Sequence, residues 1–131
     1  MNDNKFGKVA LRATELVSNG AVSNPREAWK MAAEEIITSE SSKNKGCPRV
    51  AYLYLCQKGK VAGVPAGQYV AGDKAPANGV YAMRALELIT ERPYLMDNKT
   101  ELWKMVTGGD KKHNGQLDVV LSLYVRNLLQ Y

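Results

Sequence analysis

The spacing of apolar residues near the start of the chain predicts an amphipathic helix over residues 5–18. A second helix is predicted from Asn24-Pro25 to Ile36, with Asn24 or Ser23 as its cap and Pro25 where its missing N–H is not needed. The apolar positions of the first helix recur every three or four residues, as one face of a helix requires: Phe6, Val9, Ala10, Ala13, Leu16 and Val17.

Two later segments are apolar around their whole circumference. The first runs from Cys47-Pro48 to about Lys58, after a polar loop at 39–46, and the second from Asn114 or Gly115 to about Leu128. A helix without a polar face belongs in the interior of a domain. Both segments are therefore predicted to be central helices.

Residues 82–89 repeat residues 10–17. Ala, Arg, Ala, Glu and Leu are identical at five of the eight positions, and a Trp-Lys-Met triplet follows each copy, at 29–31 and at 103–105. A repeat with nearly constant spacing indicates a duplicated helical unit. The repeated charges Arg12 with Glu15, and Arg84 with Glu87, stand three residues apart and are predicted to pair along a helix edge or to bridge the two units.

The repeat predicts the organisation of the whole chain. We expect an all-α fold, a single domain over residues 1–131, with two tandem three-helix units related by a pseudo-twofold and central apolar helices. The first unit covers about 5–60, a long Gly/Pro-rich connection covers 61–76, and the second unit covers about 77–131, with helices at 77–91 and 98–106 before the last one. A connection of this length within a compact domain is often functional.

The net charge of +5 is concentrated in one stretch. No acidic residue occurs between Ser41 and Gly72, and the remainder of the chain is formally neutral. Helix starts favour anions, and basic groups placed at both ends of a helix about 15 Å long suit two phosphates of a nucleic acid. The alternative is a solvated loop with ordinary lysines. The candidate anion- or nucleic-acid-binding residues are Lys43, Lys45, Arg49, Lys58 and Lys60.

Five further residues are candidates for a pocket: Cys47, Tyr69, His113, Asn114 and Asp118. His113 with Asn114 and Asp118 is the cluster best suited to acid–base chemistry. If the two helix starts meet at the pseudo-twofold, Cys47 and His113 form a dyad. The structural alternative is that Asn114 caps the helix, Asp118 favours its first turn and Cys47 is packed. No catalytic residue is assigned.

Several classes of protein are disfavoured by the composition. Cys47 and Cys56 would lie about 13 Å apart on one helix, too far for a disulfide. With one histidine and no Cys-x-x-Cys, we expect no metal and no cofactor. No apolar run reaches the ~18 residues of a membrane helix, and the N-terminus does not read as a signal peptide, so a cytoplasmic protein without a membrane partner is expected.

Several strings resemble an uncharacterised family of small bacterial helical proteins, a domain of unknown function. They are Gly46-Cys47-Pro48-Arg49, the segment 63–69, and Lys112-His113-Asn114-Gly115-Gln116, together with the Ala-x-Arg-Ala blocks. The likeness covers most of the chain. It implies one helical domain and brings no known activity or catalytic residue with it.

The leading functional hypothesis is a non-enzymatic binding module, with nucleic acid or another anion bound through the basic, acid-free stretch 41–72. The alternative is a protein-interaction or regulatory module that docks a partner protein. A third hypothesis is a small-molecule pocket or an enzyme that uses Cys47, His113 or Asp118.

Overall fold

The computed structural model describes residues 4–72, 74–109 and 115–130, and it is all-helical, as predicted. Beyond an isolated antiparallel bridge between Val61 and Leu129, these residues form no β-structure. A 3-10 helix spans Pro93–Asp97. The α-helices are α1 (Lys5–Ser18), α2 (Pro25–Ile36), α3 (Glu40–Lys43), α4 (Gly46–Gln57), α5 (Ala77–Glu91), α6 (Lys99–Thr107) and α7 (Gln116–Val125).

The first two helices are fixed by asparagine caps and by their apolar faces. The Asn24 side chain accepts a hydrogen bond from the backbone N–H of Arg26 at 2.7 Å, as predicted, and Pro25 is the first residue of α2. Asn4 caps α1 by accepting from the N–H of Gly7 at 2.9 Å. These bonds satisfy N–H groups that the helices leave open. The predicted apolar face of α1 is buried, and α1 packs against α2 and α7.

Helix α4 lies in the interior, as its sequence predicted. Every residue from Ala51 to Cys56 is buried, and the helix packs against α5 and α7. Gly79 allows α5 to approach closely, because a β-carbon there would lie 2.6 Å from Cβ of Tyr54. The Tyr52 hydroxyl lies 2.9 Å from Oγ1 of Thr14, so a buried hydrogen bond joins α4 to α1.

The C-terminal segment is tied to the chain that follows α4. Helix α7 ends at Val125, three residues before the predicted end, because Asn127 has a positive φ of 58° and the N–H of Leu128 returns to the Leu123 carbonyl at 2.9 Å. The N–H of Ala62 then donates to the carbonyl of Leu128 at 2.8 Å, and the N–H of Gln130 donates to the carbonyl of Lys60 at 2.7 Å. This pairing buries Val61 completely.

Two stretches carry helical turns that the sequence did not predict. The polar run 39–46 contains α3, which is capped by the Ser39 side chain, and Pro93 opens the 3-10 helix that follows α5. Both are short, and hydrophobic periodicity does not report single turns.

The repeated charges behave differently in the two halves of the chain. Arg12 pairs with Glu15, as predicted, and also with Glu35 of α2 at 3.0 Å. Arg84 forms no ion pair with Glu87 among the described residues. It donates instead to the carbonyl of Met105 at 3.3 Å, one of the acceptors that the end of α6 leaves free.

Candidate anion-binding cleft

The basic residues of the acid-free stretch do not lie together. Lys43 is held in ion pairs with Glu34 at 3.2 Å and Glu40 at 3.1 Å, and its side chain is only 15% exposed. Its hydrogen bonds to Glu40 and Glu34 raise the pKa of Lys43, so the ammonium stays charged and is balanced by carboxylates. Sequence reasoning did not find these pairs, because Glu34 comes from α2 and Glu40 lies just outside the stretch.

The other lysines of the stretch are divided between the two ends of α4. Near its start, Nζ of Lys45 lies 5.9 Å from the centre of the Phe6 ring, while near its end Nζ of Lys58 lies 5.4 Å from the centre of the Tyr54 ring. Lys60 follows α4 in the segment that pairs with the C-terminus. Of the five basic residues of the stretch, only Arg49 and Lys43 border a concave surface beside α4 that is lined by residues of α2 and α4.

That surface is a cleft of about 740 Å³ between α2 and α4. The two helices run antiparallel across it, because Glu34 near the end of α2 pairs with Lys43 before α4, while the Trp29 ring packs 5.3 Å from the Tyr52 ring further along α4. Its apolar lining comes from one side of each helix and includes Trp29, Ala33, Val50 and Leu53. A volume of this size is typical of ligand-binding clefts in proteins.

Three cations border this cleft and have no partner among the residues that the structure describes. Within the described ranges, the side chains of Arg26, Lys30 and Arg49 form no hydrogen bond or ion pair. Arg26 and Lys30 stand one turn apart on α2, about 6 Å along its axis, and Arg49 comes from α4. Of the described residues that line the cleft, Glu27 and Glu34 carry carboxylates, and Glu34 is paired with Lys43.

The outer wall of the cleft is formed by the connection, at residues 69–71. The side-chain oxygen of Gln57, the last residue of α4, accepts hydrogen bonds from the backbone N–H groups of Tyr69 at 3.0 Å and Val70 at 2.9 Å. The Tyr69 hydroxyl donates to the carbonyl of Pro65 at 2.7 Å, and desolvation raises its pKa. The predicted pocket residue Tyr69 therefore does line a cleft, with a neutral phenol.

Two other predicted pocket residues, Asp118 and Cys47, do not line this cleft. Asp118 is buried in the first turn of α7, where its carboxylate pairs with Lys99 and complements the helix dipole. The starts of α4 and α7 do meet, since a β-carbon at Gly115 would lie 2.9 Å from Cβ of Pro48. Cys47 is half-buried there, but His113 and Asn114 lie outside the described residues, so the Cys47–His113 dyad stays a prediction.

The second cysteine is unsuited to nucleophilic chemistry. Cys56 is fully buried beside Tyr52, and burial raises the pKa of its thiol to about 12. Both cysteines are free, as predicted. Among the described residues, no His, Cys, Asp and Glu side chains form a group of three that could hold a metal ion.

Sequence reasoning missed Arg26, Lys30 and Gln57. A signal for the first two was present, because two cations four residues apart on the polar face of α2 flank the anchor Trp29. Nothing local indicated that Gln57 would hold a segment twelve residues further on.

No helix in the described part of the chain has both the length and the apolar character to cross a bilayer.

Comparisons with known proteins place the chain in a family. Neither the curated proteins nor the solved structures give a match to it. A family model does match, over residues 3–130, nearly the whole length of the chain. The chain therefore belongs to DUF6979, a family of unknown function.

Proposed function

We propose that this chain is a non-enzymatic binding module. It binds a phosphate-bearing polyanion in the cleft between α2 and α4, and nucleic acid is the favoured ligand. The observation that carries the proposal is the convergence of Arg26, Lys30 and Arg49 on one concave surface without a partner in the described residues. Cations left unpaired at the rim of a cleft raise the local concentration of anions and release counterions when phosphate binds.

The proposed binding site includes only part of the basic stretch that the sequence suggested, and it adds residues of α2. Arg49 belongs to the acid-free stretch, whereas Arg26 and Lys30 come from α2. Lys43 closes one end of the cleft through its pair with Glu34, and so contributes shape more than free charge.

Fluorescence anisotropy tests this function. Labelled DNA oligonucleotides are titrated at about 50 and 200 mM salt with the wild type and with a cleft variant, Arg26→Glu, Lys30→Glu and Arg49→Glu combined. We expect binding that weakens steeply with salt and falls by at least ~10-fold in the cleft variant.

A matched control carries the same change of net charge away from the cleft. Lys8→Glu, Arg92→Glu and Lys104→Glu are exposed positions on α1, after α5 and on α6. This control should bind within ~3-fold of the wild type at 200 mM salt, where long-range effects of net charge are screened. Equal losses in the two variants would mean that net charge alone, and not the cleft, attracts the oligonucleotide.

We also propose that the chain is one domain built from two equivalent units, α1–α2–α4 and α5–α6–α7. The packing supports this: α1 lies against α2 as α5 lies against α6, and the third helix of each unit packs on the first helix of the other. The repeated tryptophans support it too, since Trp29 and Trp103 are both core residues, exposed by only 2% and 6%.

A further inference from the structure

We infer that the ligand of the α2–α4 cleft is single-stranded nucleic acid. Its bases pack against the apolar floor of the cleft, formed by Trp29, Val50 and Leu53, and its phosphates bind the cations of the rim, Arg26, Lys30 and Arg49. This inference rests on the proposed function and specifies its ligand class. It follows from the shape of the cleft, the chemistry of its floor and the placement of its cations.

The shape disfavours a duplex. Proteins that read duplex DNA insert a convex element, such as a helix, into a groove about 12 Å wide. Here the cations surround a concavity of about 740 Å³. A duplex of larger diameter can touch only the rim of such a cleft, whereas a flexible strand can enter it.

The apolar side chains of the floor favour contact with a nucleic-acid base over contact with a phosphate. Val50 is half-buried and is the most accessible of the three, since Trp29 and Leu53 are exposed by only 2% and 4%. Tyr69 adds a half-buried aromatic ring on the wall. Only an unpaired strand can present the faces of its bases to such a surface, because in a duplex those faces are stacked inside.

The cations flank this floor from both sides. Arg26 and Lys30 form a row along α2, and Arg49 stands on the facing helix. A basic rim around apolar and aromatic side chains is the arrangement that sequence-tolerant binders of single strands use. The connection supplies the wall, and the Gln57 hydrogen bonds hold that wall in place.

Three probes of the full-length protein separate the possibilities. A labelled oligothymidylate, a labelled duplex of the same length and inorganic polyphosphate as competitor are compared at about 50 mM salt. We expect the single strand to bind at least ~10-fold more tightly than the duplex, and polyphosphate to compete weakly, because it has no bases for the floor.

Val50→Gln makes the floor polar without changing the charge, and Val80→Gln is its control at an exposed valine on α5. We expect Val50→Gln to weaken strand binding by at least ~5-fold and to leave duplex binding unchanged, whereas Val80→Gln changes neither. Circular dichroism checks that both variants are folded, and the comparison of the three probes on the wild type does not depend on them.

The outcomes are distinct. Duplex or polyphosphate binding as tight as strand binding would overturn the single-strand inference and leave anion binding standing. If none of the three probes binds at about 50 mM salt, both the single-strand inference and the proposed function are wrong.

Discussion

The side-chain oxygen of Gln57 lies 3.0 Å from the backbone nitrogen of Tyr69, and this contact fixes the connection to the end of α4. The same oxygen accepts the N–H of Val70, so one residue uses both its lone pairs on two successive amides. Arg49 and Val50 stand on the same helix two turns earlier. Helix α4 thus contributes Arg49 to the rim and Val50 to the floor and also holds the wall, while α2 supplies the other two cations.

Replacing Gln57 with leucine should release the wall. Both amides lose their acceptor, so their hydrogen exchange should accelerate by at least ~10-fold, while core amides of α4 stay protected. Gln57→Glu keeps an acceptor of the same length and should retain the protection. Amide exchange followed by NMR measures this, and unchanged rates at residues 69 and 70 in Gln57→Leu would show that the contact does not hold the wall.

Gly79→Ala should destabilise the protein, although alanine normally favours a helix. The new methyl group would lie 2.6 Å from Cβ of Tyr54, so α5 would have to move off α4, at a cost of about 1–3 kcal/mol. Gly46→Ala is the matched control, because its nearest neighbour would be Arg49 Nη2 at an ordinary 3.6 Å. Urea denaturation compares the two, and a Gly79→Ala variant as stable as Gly46→Ala would contradict the close packing of α4 and α5.

Stability should fall in alkaline solution through Cys56. Burial raises the pKa of the Cys56 thiol from the ordinary 9.0 to about 12. Below pH 9 the thiol keeps its proton in both the folded and the unfolded state, so it does not make the free energy of unfolding depend on pH. Between these values the unfolded chain loses the proton and the folded chain holds it. The free energy of unfolding therefore decreases with pH, by about 1 kcal/mol per pH unit.

Denaturation of the wild type and of Cys56→Ala between about pH 8 and 10 tests this linkage. The variant has a lower stability at every pH because of the cavity, but its pH dependence should be shallower. The neighbouring Tyr52 also has a pKa raised by burial, so part of the slope should remain. Identical slopes in the two proteins would exclude Cys56 as a source.

The two proposed units should need each other to fold. Residues 1–74 contain α4 without its neighbour α5, and residues 75–131 contain α7 without its neighbour α1. Each fragment alone would expose an apolar helix, so we expect low helicity by circular dichroism and recovery when the two are mixed. Full helicity and a cooperative melt of one isolated fragment would contradict the exchange of third helices.

Local signals determined most of the helices. Asn24-Pro25 placed the start of α2, and α6 ends at Thr107, one residue from its predicted end, where Gly108 adopts a φ of 87°. The apolar circumference of α4 predicted its burial correctly. These features depend on residues within a turn or two, and the sequence displays them directly.

The candidate site depended on contacts between distant residues. Five basic residues in one stretch suggested one surface, but Lys43 is balanced by Glu34 from α2, and Arg49 borders the same cleft as Arg26 and Lys30. The end of α7 was likewise decided elsewhere, by pairing of the C-terminal segment with the chain around Val61. Hydrophobic periodicity tells which face of a helix is buried and not which partner covers it. The sequence by itself therefore determined the helices and the central position of α4, and only the tertiary structure decided which charges are neutralised and which surround a cleft.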